Sequence, residues 1–217
     1  MMYIRFPLSL RNVEDLLFER RSDFCYETVR LWRNRLGLLF AADIRSQRVK
    51  RMRGFRHWHW RWRWHLDEMY VRLNGEIAYL WRAVDHEGEV LESYVTRKRD
   101  KSAASRFMKK TLKRRGQTGK IVTDGLRSYP AAMKDMGNLE RREMGRYLNN
   151  RAENSHLPFR RREHAMQRFR QMKSIQKFAA IHASLTNHFN SERHLVNRQT
   201  FKLRRSAAMA EWQSLMG

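Results

Sequence analysis

The chain has 217 residues and a net charge of +24, from 46 Lys and Arg against 22 Asp and Glu, with 41% hydrophobic residues. That apolar share excludes wholesale disorder, and a single cysteine, Cys25, excludes an intramolecular disulfide framework and a four-cysteine zinc site. No run of about 18 apolar residues marks a membrane span, and Met1 to Leu10, interrupted by Arg5 and Pro7, lacks the apolar core of a signal peptide. A soluble intracellular protein with a polyanionic partner is the expectation, nucleic acid ahead of an anionic membrane.

In chain order, Ser9 is a candidate N-cap for a helix from Leu10 to Arg20, with Val13, Leu16 and Leu17 at helical spacing. A second helix is expected over Glu27 to Leu36 and is expected to end at Gly37. In it Leu31 and Trp32 are expected to face the first helix, with Arg30, Arg33 and Asn34 outward. Two short helices with basic and amide residues on the second point to a helix-turn-helix reader of DNA. Two amphipathic helices packed on the next domain explain the pattern equally well. Residues 41–60 read as a basic linker.

The segment from Arg56 to His65 alternates aromatic and cationic residues. As a strand it places Trp58, Trp60, Trp62 and Trp64 on one face. A buried Trp face is favoured over a base-stacking platform. His57-x-His59 has metal-ligand character but no third ligand nearby in sequence. The strand continues to Leu73, Asn74-Gly75 is a hairpin turn signal, and Glu76 to Val84 returns as a central strand. After a turn at Asp85 to Gly88, Glu89 to Val95 is a third antiparallel strand. Lys101 to Arg115 fits a helix burying Ala104, Phe107, Met108 and Leu112. Lys120 to Thr123 is a short strand, Ser128 to Met136 a helix, and Leu139 to Met144 a candidate strand. From Asn149 the chain reads as helical, with an apolar stripe through Phe169, Met172, Ile175, Phe178, Ile181, Leu185 and Phe189. The order implies an α/β (α+β) fold with a mixed sheet flanked by helices.

Asp67 in the first strand, Asp124 ending a later strand and Glu153 near a helix start are acids that can converge at one sheet edge. Clustered carboxylates need a compensating cation, and Mg²⁺ suits hard oxygen ligands. Two such ions serve an in-line phosphoryl transfer. Taken singly, each acid also has an ordinary structural reading: an ion-paired strand acid, a turn residue and a helix N-terminal acid. Glu68 neighbours Asp67 but points to the other strand face. Glu153-x-x-His156 has di-iron spacing without a second copy, so His156 is expected beside the active site or capping local backbone. Arg160, Arg161 and Arg162 read as a phosphate-facing run, with a solvated helix face as the alternative.

At these stretches the sequence resembles the DDE-type insertion-sequence transposases, and among them the insertion-sequence-six family. The matching stretches are Trp64 to Val71, Tyr79 to Asp85, Thr123 to Tyr129 and Asn149 to His156, extending through Arg160-Arg161-Arg162-Glu163. The resemblance implies a ribonuclease H-like catalytic domain over residues 61–190, behind a helix-turn-helix segment over 1–40 and ahead of a C-terminal helical tail over 191–217. It implies Asp67, Asp124 and Glu153 as the metal-binding triad, with Arg160 as the basic residue seven positions after the glutamate. Mg²⁺ or Mn²⁺, two ions, would be the cofactor. DNA would be the partner, as terminal inverted repeats and target, with a homodimer or higher oligomer and no membrane. A bacterial cytoplasmic, nucleoid-associated protein is implied. The family pattern places one more helix before Phe6, so the helix-turn-helix is expected to be incomplete, and the Trp repeat is longer than the pattern. A non-catalytic DNA-binding protein, such as a decayed transposase, is the competing reading, and an RNA binder of ribosomal type a third.

Overall fold

A computed structural model describes residues 2–53, 63–145, 147–165, 169–189 and 197–214. The chain opens with a single turn, α1 (Met2–Arg5), then α2 (Leu10–Phe18). Ser9 caps α2 as the sequence predicts: its hydroxyl accepts from Asn12 N, and the Asn12 side chain accepts from Ser9 N, each at 3.0 Å. This is a capping box with Asn in the usual Glu position.

The next helix departs from expectation. α3 runs unbroken from Tyr26 to Arg53, through Gly37 and through most of the stretch read as a linker. Gly37 serves a close helix contact here, because a Cβ on it would stand 3.1 Å from Ile181 Cδ1 on α7 (Met172–Phe189). Among the described side chains of α3, Val29, Ala41 and Ile44 are buried. Leu31, expected to face α2, is 51% exposed, and Trp32 packs edge-on against Phe24 at 4.9 Å. Trp58, Trp60, Trp62 and the His57-x-His59 pair lie outside the described residues.

The sheet has five strands in the order β3-β2-β1-β4-β5: β1 (Arg63–Leu73), β2 (Glu76–Val84), β3 (Val90–Thr96), β4 (Lys120–Thr123) and β5 (Arg142–Glu143). β1, β2 and β3 form an antiparallel meander, while β4 and β5 join β1 in parallel. Asn74 (φ 52°) and Gly75 (φ 88°) make the tight turn between β1 and β2, which needs left-handed backbone at both positions. Only Arg142 and Glu143 of the expected strand at 139–144 pair with the sheet, because Leu139–Arg141 coil into a 3₁₀ turn.

Alternation along β1 divides two cores. Trp64 and Leu66 face α4 (Lys101–Arg115) and α5 (Ser128–Asp135), packing with Trp81, Phe107, Met108, Tyr129 and Met133. Met69, Val71 and Leu73 face the other side, against Phe159 of α6 (Asn150–Ala165) and Ile175, Phe178 and Ile181 of α7. Tyr3, Val13 and Ala41 from α1 to α3 and Trp212 of α8 (Arg198–Ser214) complete that second core. Phe169, expected in the helical stripe, instead pairs with Leu73 as an isolated bridge ahead of α7. The outer edge of β3 is covered by amides of α7. Gln176 bonds Val95 N and Ser93 O at 2.9 Å each, and Asn187 bonds Val90 N and O at 2.8 Å each. The architecture is the mixed sheet flanked by helices that the sequence implied.

Candidate active site

β4 runs parallel to β1 and ends part-way along it, while β1 continues to Leu73. Their pairing stops at Leu66 and Thr123, so Asp67 and Asp124 are the first residues past it. Asp124 is held by a turn in which its Oδ1 accepts from Leu126 N at 3.0 Å. α6 crosses this end of the sheet. Asn149 donates to the Leu66 carbonyl at 3.0 Å, His156 Nε2 lies 3.2 Å from Asp67 Oδ2, and Arg82 donates to the Ser155 carbonyl. Arg82 stands opposite Asp67 in the β1–β2 register. His156 therefore does lie at the acids, as expected.

Carboxylate oxygens of Asp67, Glu68 and Asp124 lie within 4.8 Å of one another. Two members were expected and one was not. Glu68 starts from the opposite face of β1, but β4 has already ended beside it, so its side chain can reach round the open edge. Glu153 is exposed on the first turn of α6, one turn before His156, and stands outside that 4.8 Å group. Helical spacing keeps it on the face that carries His156 towards Asp67.

The electrostatics show a site short of positive charge. Burial, then the charge of Asp124, pushes the Glu68 carboxyl up to about 7, against the pull of Arg99. Burial and Asp67 raise Asp124, opposed by the Leu126 N–H. Burial raises the Tyr129 hydroxyl well above its usual range, with Glu68, Asp67 and Asp124 adding to it. Burial lowers His156, outweighing Asp67, so it is neutral at pH 7. Glu68 Oε2 is buried with no cationic partner among the described residues, and the neutral Tyr129 hydroxyl is the other donor at this carboxylate. Three hard oxygen donors this close together fit a divalent cation.

The basic candidates divide. Arg160 lies over the Tyr70 ring at 5.0 Å, on the exposed side of the site, and Arg161 is exposed. Arg162 does not face phosphate: it is 1% exposed, donates to the Tyr3 carbonyl at 2.7 Å and stacks over the Tyr3 ring. Consecutive helical residues are about 100° apart, so a run of three cannot share a face. On α3, Arg30 and Asn34 are exposed, while Arg33 bonds Asn34 and the Tyr3 hydroxyl.

Residues 61–192 match a family model described as a DDE domain. The chain belongs to the DDE-type transposases of the insertion-sequence-six family. It is 29% identical over 159 residues to the transposase for insertion sequence-like element IS431mec of Staphylococcus aureus strain Mu50, covering 71% of this chain and 67% of that protein. It is 28% identical over the same length to the transposase for IS257 in transposon Tn4003 of Staphylococcus aureus. Among solved structures, a simian T-cell lymphotropic virus intasome in complex with PP2A regulatory subunit B56 gamma aligns at 13% identity and a TM-score of 0.39, over 58% of this chain and 47% of that one. Membership makes the chain a DDE-type polynucleotidyl transferase and implies use of a divalent metal. The described residues contain no helix long and apolar enough to cross a membrane.

Proposed function

We propose that this transposase cuts the ends of its insertion element and joins the freed 3′ ends to target DNA. The observation that supports this is the meeting of Asp67 and Asp124 just beyond the β1–β4 pairing, with His156 of α6 beside Asp67. Asp67 and Asp124 would hold Mg²⁺ or Mn²⁺, with Glu153 completing the set as DNA enters. Two such ions supply activation of the attacking oxygen and stabilisation of the leaving one. In the first step a water oxygen bonds to phosphorus at the element end and the 3′ oxygen leaves as a hydroxyl. In the second that hydroxyl attacks a target phosphate and displaces a target 3′ oxygen. Each step forms one phosphorus–oxygen bond and breaks one, and needs no covalent protein intermediate.

The chain's own residues position this chemistry. His156 and Asn149 fix the start of α6 against β1, which sets where Glu153 stands relative to the aspartates. Arg160 and Arg161, with the exposed Arg30 and Asn34 and the half-buried Arg33 on α3, would hold DNA backbone as terminal inverted repeat and target. Two ends must be brought together, so the working form is a homodimer or higher oligomer.

The test is cleavage and joining of end-bearing DNA with Mg²⁺ or Mn²⁺. Asp124→Asn is expected to lower the rate by at least roughly 10²-fold while leaving DNA binding intact. Undiminished joining by that variant would overturn the assignment. No cleavage by the unaltered chain with either metal would favour the non-catalytic binder.

A further inference from the structure

Arg99 reaches the acids from the loop between β3 and α4. Its Nε donates to Glu68 Oε1 at 2.7 Å, and its Nη2 contacts the same oxygen. That Nη2 also stands 4.0 Å from Asp124 Oδ2. The backbone at this point is fixed: Ser128 Oγ donates to the Arg99 carbonyl at 3.3 Å, and Asp100 caps α4 through Ala103 N. The side chain is not enclosed. It is 43% exposed, while the Glu68 side chain it covers is 1% exposed. A long, solvent-reachable cation thus lies on a buried acid.

Burying a carboxylate is costly unless it is paired and its lone pairs are satisfied. Arg99 satisfies Oε1 and leaves Oε2 with no cationic partner among the described residues, the other donor at this carboxylate being the neutral Tyr129 hydroxyl. It also brings one positive charge to three carboxylates that lie within 4.8 Å of one another. A divalent ion brings two charges and takes oxygens from several carboxylates at once. The guanidinium spans the gap from Glu68 to Asp124, and two cations in that gap would repel each other. Glu68 offers its carboxylate to whichever cation replaces Arg99.

We infer that Arg99 is a resident counter-cation of the acid cluster, which a divalent ion displaces, and that Glu68 then joins Asp67 and Asp124 as a ligand of that ion. The inference rests on the metal-dependent reading above. Arg99 is a positioning residue: it keeps Glu68 and Asp124 in place before loading and withdraws on loading. Its exposed side chain is then free to meet a DNA phosphate.

Mn²⁺ affinity of the full chain, measured by electron paramagnetic resonance, tests this together with melting temperatures with and without saturating Mn²⁺. Arg99→Gln is expected to bind Mn²⁺ about fivefold tighter, the scale of a partly exposed ion pair. It is expected to melt below the unaltered chain without metal and level with it when loaded. Glu68→Gln is expected to bind about tenfold more weakly, as for loss of one ligand. Unchanged or weaker binding by Arg99→Gln, or an equal drop in melting temperature with and without Mn²⁺, would overturn the inference, since a purely structural arginine behaves that way. Should Arg99→Gln fail to fold, Arg99→Lys keeps the charge but loses the planar fork. It should then bind more tightly than the unaltered chain by less than fivefold, and no gain at all counts against the inference. Asp124→Asn separates the two levels: unchanged Mn²⁺ binding there removes the metal site itself, whereas lost binding there with no gain in Arg99→Gln removes only the role of Arg99.

Discussion

His182 lies on the buried face of α7, with ring contacts to Phe159 at 5.5 Å and Phe178 at 5.8 Å. Burial, reinforced by the nearby cations Arg82 and Arg162, lowers its pKa from 6.5 to about 3. Between those values the unfolded chain takes up a proton and the folded chain does not. Stability is therefore full above about pH 6.5 and falls as pH drops towards 3. The slope is at most about 1.4 kcal/mol per pH unit, or about 2 kcal/mol lost by pH 5. Glu68 works in the opposite sense, because its raised carboxyl gains stability from protonation below about 7. His182→Leu isolates the histidine: denaturant unfolding at pH 7.5 and pH 5 should show a smaller loss on acidification in the variant, and parallel losses would refute the assignment. At this scale the two aspartates were legible because each lies in a recognisable motif, Asp67 within β1 and Asp124 just past β4. Glu68 was not, because the rule of alternating faces assumes neighbouring strands on both sides, and β4 has ended there. Arg99 sits in a loop with no periodicity to read. Arg162 was misread because a run of like charges says nothing about which member turns inward.

Secondary-structure signals were strongest where one physical cause acts alone. Asn74-Gly75 demands positive φ, and it made the predicted turn. Asp100 and Gly116 bracket α4 at the predicted limits, as N-cap and left-handed C-cap. Gly37 carried two meanings, since a glycine ends helices but also lets helices approach. The second prevailed because α3 gains a long packing face on α7, against a helix cost of about 0.5–1 kcal/mol relative to Ala. A prediction distinguishes the two. Were Gly37 a passive interruption, any good helix former would stabilise α3. With Ile181 Cδ1 only 3.1 Å from the site of a Cβ, Gly37→Leu is expected to crowd the contact between α3 and α7. The expected cost is about 1–3 kcal/mol, typical of overpacking, read as a lower melting temperature. A rise in melting temperature would return Gly37 to the role of a simple break. The same competition limited the segment at 139–144, where a 3₁₀ turn took the first half and only the residues reaching Ile121 and Val122 joined the sheet.

Length and composition leave room for separate domains, and a helical DNA-binding segment before an independent catalytic sheet is the natural division from sequence. The packing argues for closer dependence. Tyr3, Ile4, Val13, Val29, Ala41 and Ile44, all before the sheet, belong to the same apolar cluster as Val71 and Leu80 of the sheet and Phe178 and Ile181 of α7. The Tyr3 carbonyl also accepts the hydrogen bond from the buried Arg162, whose Nη1 and Nη2 have no other partner among the described residues. Removing residues 1–53 would uncover one whole side of α7 and leave a buried guanidinium facing water or apolar surface. Each large side chain so exposed forfeits roughly 1.5–3 kcal/mol, against a total stability of only about 5–15 kcal/mol for a typical domain. A 54–217 fragment is therefore expected to be aggregated or loosely packed, shown by size-exclusion chromatography and a broad, non-cooperative melt. A monodisperse fragment with a sharp transition would show that α1 to α3 only rest on the sheet. The outcome also bears on DNA recognition. If the helices and the sheet share one core, the exposed Arg30 and Asn34 of α3 are held rigidly with respect to Asp67 and Asp124. A DNA end gripped by α3 would then be presented to the acids at a fixed distance, without a flexible tether.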